Sequence, residues 1–318
     1  MKLYDFAPTT GSLYEEVLSG LRKADKTLPG ALLYDERGSQ LFDKICEQPE
    51  YYLTRTELQI MRKHIGEMVD LLGSGVALVE YGSGSSLKTA ILLDHLLDLA
   101  CYMPIDISKE HLLKAAEKLA KQYPQLEILP VCADYSQPFH LPTPSKAATR
   151  YVAYYPGSTI SHFEPAEAVA FLTQVRTVCG PDSALLIGVD LKKDACIIEP
   201  AYNDAAGYSR AFTNNLLLHL NQRFGANFAP QGFAHQAFFN PHQGRVEFYL
   251  ACQQPQSVHI NGDTIRLQAN ERINLAYSYK YSLVDFADLA VQAGWCVQRV
   301  WTDEQQLFSV QYLRATSA

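Results

Sequence analysis

The chain has 318 residues, of which 47% are hydrophobic and 19% charged. That composition excludes a disordered or fibrous protein and leaves one large domain or two joined ones. The balance of 27 Lys and Arg against 34 Asp and Glu, a net charge of −7, argues against nucleic-acid binding through a basic face. Seven cysteines are scattered without a C-x-x-C pair, and nine histidines contain no H-x-x-x-H pair. A disulfide framework and a metal site are therefore not expected, and a reducing cytoplasm is. The N-terminus lacks the apolar core of a signal peptide, and no apolar run approaches the ~20 residues of a membrane span. One excess stands out: 19 Tyr against 14 Phe and 2 Trp. Tyrosines pack, but they also suit a pocket that needs aromatic walls and hydroxyls together.

In chain order, Leu13–Lys23 reads as a helix. Ser39 is placed to cap a short amphipathic helix over Leu41–Cys46, and Thr54 opens another. From Val76 the pattern changes. Val76–Glu80 is a short apolar strand that enters the loop Gly82-Ser-Gly-Ser-Ser86, and Lys88–Leu99 is helical. Strand, helix and strand follow at Tyr102–Asp106, Glu110–Lys121 and Leu126–Cys132, then a strand at Arg150–Tyr155, a helix at Pro165–Cys179 and a strand at Ala184–Asp190. Alternation of this kind predicts an α/β fold with a parallel sheet and crossover helices. The rhythm breaks after residue 195. A helical run, Tyr208–Phe224, is followed by apparent antiparallel strands at Arg245–Cys252, Val258–Ile260 and Thr264–Leu267. It resumes with a helix at Leu283–Ala293 and a strand pair at Cys296–Trp301 and Leu307–Leu313.

Open parallel sheets bind ligands beyond the carboxyl ends of their strands. The first such end carries Gly82, Ser83 and Gly84, whose glycines permit close backbone approach. Asp106 ends the next strand, where an acid binds a ribose diol, and Asp134 follows the third, within reach of an adenine amino group. A dinucleotide would call for a third glycine where Leu87 stands. S-adenosylmethionine (SAM) has no pyrophosphate to cradle and fits the residues better. An oxidoreductase stays open at this level.

Several segments together resemble the histidine-specific Nα-methyltransferases of ergothioneine biosynthesis. They are Tyr34–Ser39, Glu50–Glu57, the Gly82 loop with Lys88, Tyr102–Ser108, Pro156–Ile160, Gly188–Asp194, Ala201–Gly207 and Ser278–Tyr281. The resemblance implies a class I SAM-methyltransferase, with a Rossmann-like sheet of seven strands closed by an antiparallel hairpin and a second, α+β substrate-binding domain. The core would be 56–192 with 281–318, and the substrate domain 1–55 with 193–280. It implies SAM as cofactor, S-adenosylhomocysteine as product, and a cofactor site at Gly82, Ser83, Gly84, Lys88, Asp106, Asp134 and Tyr155. It also implies a small amino-acid substrate and a monomer. Tyr34 and Tyr202 would hold the substrate's amine and carboxylate end, with Gly157 near the amine. Tyr51 and Ser278 would lie near the imidazole.

Three positions depart from the family pattern. His162 replaces an asparagine, Ala276 a glutamate that grips the imidazole, and Phe248 a methionine. A charge-assisted hydrogen bond contributes roughly 1.5–3 kcal/mol, so its loss lowers imidazole preference by ~10–100-fold. The expected reaction is methylation of the α-amino group of a free amino acid, histidine or a histidine-like or aromatic one, giving an N-methylated amino acid or betaine. Tyr34 would anchor the substrate, and His162 or a water would take the amine proton. A thiolated histidine substrate and a non-catalytic SAM or amino-acid sensor are the alternatives.

Overall fold

The computed structural model describes residues 2–6, 10–83, 87–135, 137 and 139–316. Two compact units share the chain. Met1–Ala7, Leu53–Lys192 and Tyr279–Ala318 form the first, and Pro8–Tyr52 with Lys193–Ser278 form the second.

The first unit is built on an eight-stranded sheet. Its spatial order is β1 (Tyr4–Phe6), β5 (Val131–Ala133), β4 (Cys101–Asp106), β3 (Ala77–Tyr81), β6 (Tyr151–Tyr155), β7 (Ala184–Asp190), β14 (Phe308–Ala315) and β13 (Trp295–Thr302). Pairings from β1 through β7 are parallel, and β14 is antiparallel to both β7 and β13. Every residue of β3 and β7 is buried. Such apolar runs suit strands covered on both faces. The chain leaves β3 toward β4 and β5, then returns to β6 on the other side, which puts the topological switch point between β3 and β6. Helices α3 (Tyr52–Leu72), α4 (Leu87–Leu93), α5 (Lys109–Gln122), α6 (Pro165–Cys179) and α9 (Leu283–Gln292) make the connections. α9 starts with a reciprocal cap: Ser282 Oγ accepts from Asp285 N at 3.0 Å, and Ser282 N donates to Asp285 Oδ2 at 3.1 Å.

Some elements differ from the sequence reading. β1 makes the sheet eight-stranded rather than seven-stranded and ties residues 4–6 to the first unit, not to the rest of 1–55. α4 stops at Leu93, six residues short of Leu99. The next stretch is claimed by the start of β3: Gly75 N donates to Asp98 O at 2.7 Å and Ala100 N to Val76 O at 2.9 Å. Leu97 is left 90% exposed. β5 begins at Val131, not Leu126. Ile105 pairs with Val131, so Pro104 and Pro130 stand at one level, and neither ring nitrogen can donate to a ladder.

The second unit combines α1 (Thr10–Arg22), α2 (Glu36–Cys46), α7 (Ala195–Ile198) and α8 (Tyr208–Phe224) with a four-stranded sheet. The sheet order is β2 (Lys26–Thr27), β12 (Arg272–Tyr279), β9 (Arg245–Cys252) and β8 (Phe233–Asn240). Strands β10 (Gln256–Ile260) and β11 (Asp263–Leu267) form a separate hairpin. Its turn is Asn261-Gly262, with φ of 43° and 96°, as a two-residue hairpin loop requires. The cap of α2 is Asp35, whose Oδ1 accepts from Gly38 N at 2.7 Å, rather than Ser39. Asn215 of α8 donates to the same oxygen at 2.7 Å. β8 gave no alternating signal because its residues are nearly all half-buried; it forms by pairing with β9.

A buried ion pair closes the first unit. Lys280 Nζ lies 2.6 Å from an Asp190 carboxylate oxygen, and both side chains are fully buried. Asp190 N donates to Ser158 Oγ at 2.8 Å, and Tyr281 N donates to Asp190 O at 3.2 Å. Removing one buried partner strands the other, at a cost of about 3–5 kcal/mol. Lys280→Met should lose that much unfolding free energy in urea titration, and Lys280→Met with Asp190→Leu should recover most of it.

Candidate active site

The carboxyl ends of β3, β4, β5 and β6 meet at the switch point. After β3, Gly82 takes φ +74°, and Gly82 N donates to Ile105 O at 2.8 Å. That left-handed backbone, rather than lack of room, is what favours glycine at this turn, since a Cβ would make only ordinary contact with the Tyr135 hydroxyl at 3.7 Å. Ser83 is 3% exposed, and its hydroxyl has no hydrogen-bond partner among the described residues. Such buried hydroxyls are normally hydrogen-bonded. Gly84 lies outside the described residues. Asp106 is half-buried at the end of β4, its Oδ1 accepting from Ser108 N at 2.9 Å. Asp134 is half-buried just beyond β5. Tyr155 is buried in an aromatic wall, 6.1 Å from Tyr135, 6.2 Å from Tyr81 and 4.9 Å from Phe171.

Two acids near these loops escaped the sequence reading. Glu80, just before Gly82, is fully buried and accepts from Thr89 Oγ1 at 2.8 and 2.7 Å and from the Tyr102 hydroxyl. Burial pushes its carboxyl up to about 7, against the pull of those two hydroxyls. Glu57 of α3 is 1% exposed. Both its oxygens accept from Gly157 N at 3.0 Å, and Oε2 lies 2.5 Å from Lys88 Nζ. Lys88 is thus an ion-pair partner, not a loose surface lysine. Glu57 was visible as the last residue of a family motif, but nothing in its spacing marked it as buried. Gly157 takes φ +78° in the loop after β6. His162 ends the short turn that follows and is exposed.

The second unit gathers the other expected residues. Tyr34 packs against Phe42 at 5.6 Å and Phe212 at 5.3 Å. Tyr51 stands 6.0 Å from Phe42 and 6.2 Å from Tyr202, and Tyr202 stands 5.1 Å from Phe248. The Tyr202 hydroxyl and Ser278 Oγ are 3.1 Å apart. On β12 the two-residue period puts Ala276 on the same face as Ser278. The backbone of Tyr202 is held by His235, whose Nε2 lies 3.0 Å from Tyr202 O. Burial lowers the pKa of this histidine. The result is an aromatic cluster with one hydroxyl pair inside it. Among the described residues no group of His, Cys, Asp and Glu could hold a metal ion, and no helix is long and apolar enough to cross a membrane.

The sheet order is that of a Rossmann-like α/β fold with ligand-binding loops at its switch point, and the family match gives the class, a SAM-dependent methyltransferase. The model of the family described as "Histidine-specific methyltransferase, SAM-dependent" matches residues 13–315. The chain belongs to that family. It is 35% identical over 297 residues to a histidine N-alpha-methyltransferase of Mycolicibacterium smegmatis, covering 92% of this chain and 91% of that one. It is 31% identical over 303 residues to the N-methyltransferase imqF of Aspergillus flavus, covering 92% and 82%. Among solved structures, a SAM-dependent methyltransferase from Clostridium acetobutylicum is similar with a TM-score of 0.48 and 10% identity, covering 88% of this chain and 98% of that one.

Glu80 sets a pH dependence. Its carboxyl titrates higher in the folded chain than the ordinary 4.5. The folded state therefore binds the proton more tightly, and stability is full below about 4.5 and falls as pH rises toward about 7. In Glu80→Gln that fall should flatten, as urea unfolding at a series of pH values would show.

Proposed function

We propose that the protein methylates the α-amino group of a free amino acid, with histidine as the substrate. The observation that carries this reading is the Tyr202–Ser278 hydroxyl pair at 3.1 Å inside an aromatic cluster. Such a pair can donate to and accept from a polar ring while Tyr51 and Phe248 stack on its faces. The names of the mycobacterial relatives support histidine as well. A second reading, an aromatic amino acid, is favoured by Ala276 and Phe248, which supply space and an apolar wall where a carboxylate would grip imidazole.

Gly82, Ser83, Asp106 and Asp134 suit SAM: a left-handed glycine turn, a buried hydroxyl and two carboxylates for hydroxyl and amino donors. Gly84, Lys88 and Tyr155 complete the proposed cofactor set. When bound, SAM supplies an already activated methyl group for in-line displacement. The chain's own task is then to position a neutral amine. Tyr34 and Tyr202 are assigned to the amine and carboxylate end, and the Gly157 backbone to the amine. The His162 imidazole, open to solvent, takes the proton that the amine must lose, directly or through water. Repeated transfer would give a betaine. The seven free cysteines support a reducing cytoplasm, and a small substrate requires no more than a monomer.

Incubation with SAM and each amino acid separately, read by mass for one, two or three added methyl groups, tests the function. Histidine should be methylated. Turnover of aromatic amino acids with histidine inert would move the substrate to the second reading, and turnover of no amino acid would overturn both. Ala276→Glu should raise kcat/KM for histidine over that for tryptophan or phenylalanine by about 10–100-fold, the worth of one charge-assisted hydrogen bond. In Tyr202→Phe, loss of one hydroxyl, worth about 1 kcal/mol, should raise KM for the amino acid severalfold in the same steady-state assay.

A further inference from the structure

Glu57 lies where four parts of the first unit converge. It projects from α3, it pairs with Lys88 of α4 at 2.5 Å, and both its oxygens take the N–H of Gly157, after β6, at 3.0 Å. The fourth part is β7. A Cβ at Gly188 would fall 2.2 Å from Glu57 Oε1, so only glycine there admits the carboxylate. The ion pair is not an exposed one: Glu57 is 1% and Lys88 18% exposed at the side chain. Gly157 is itself constrained, since its φ of +78° disfavours any other residue and a Cβ would come 3.2 Å from Lys88 Nζ.

This has a chemical consequence at Gly157. An amine or ammonium presents N–H donors and needs acceptors. With the Gly157 N–H committed to Glu57, the peptide group left for a ligand is the carbonyl, which accepts. We infer that Glu57 is a positioning residue: by holding Gly157 N–H it anchors the loop whose next carbonyl, that of Gly157, is offered to the substrate amine, and with the same carboxylate it sets Lys88 for the cofactor. The inference rests on the amino-acid methyltransferase reading for the amine. The cofactor half rests only on SAM dependence.

The test uses Glu57→Gln and the doubly neutral Glu57→Gln/Lys88→Met, which leaves no buried charge unpaired and so keeps a folded protein for measurement. Three readouts are taken on the full chain. Amide hydrogen exchange of the segment 156–163 without ligand should quicken at least tenfold at Gly157 in both variants. Binding of S-adenosylhomocysteine by calorimetry should weaken about tenfold. With the amino acid that the wild type methylates, KM should rise more than kcat falls, and Glu57→Asp should recover part of it. Exchange at Gly157 within twofold of wild type in the folded double variant, with cofactor affinity and KM also within twofold in folded Glu57→Gln, would overturn the inference. A wild type that methylates no amino acid would sink the substrate reading alone, because exchange and cofactor binding still report on Glu57.

Discussion

The buried pair between Lys280 and Asp190 is the constraint on which the first unit depends. Two charges with no exposure are costly to hide and are tolerated only when tightly matched. They therefore dictate where the chain re-enters the sheet unit after residue 278. Asp190 ends β7 and spends its backbone as well as its side chain on this junction. Its N–H reaches Ser158 and its carbonyl receives Tyr281. Three segments far apart in sequence are locked together at one residue, Asp190, and any drift of the Tyr279–Tyr281 segment would leave its carboxylate unpaired.

The loop after β6 is consequently held from two sides. Ser158, itself at φ 58°, is gripped through Asp190, and Gly157 is gripped through Glu57. A loop that must present backbone to a ligand cannot rely on apolar packing for its shape, because packing is not directional. Hydrogen bonds to single groups, Glu57 to the Gly157 N–H and the Asp190 N–H to Ser158 Oγ, are directional. In the proposed reading, a loop anchored in this way positions reactants whose chemistry is already activated.

The tyrosine excess divides into two uses. Tyr81, Tyr102, Tyr154 and Tyr155 are almost fully buried in or beside the sheet. Tyr81, Tyr102 and Tyr154 are packing residues, although the hydroxyl of Tyr102 also serves Glu80, and Tyr155 lines the aromatic wall beside the proposed cofactor site. Tyr34, Tyr51 and Tyr202 instead form a cluster in the second unit with Phe42, Phe212 and Phe248. A tyrosine can serve either use because its body is apolar and its tip polar.

The alternation of apolar strands and amphipathic helices, the glycine turn at Gly82 and the acids that end β4 and follow β5 were legible in the residues alone. So was membership in the methyltransferase family, since its motifs depend on local residue types at fixed spacings. Element ends were less legible where distant partners decided them. α4 stops at Leu93 because β3 takes its continuation, and β5 starts late because Pro130 faces Pro104. β8 exists through its pairing with β9. The partners of Glu57, Glu80 and Lys280 were not legible at all, because a carboxylate or an ammonium in a sequence carries no mark of what it will face. By itself the sequence determined the class of sheet, the cofactor and the reacting family. Only the tertiary structure decided which charges are buried and paired, because burial and pairing come from strands and loops that meet across hundreds of residues.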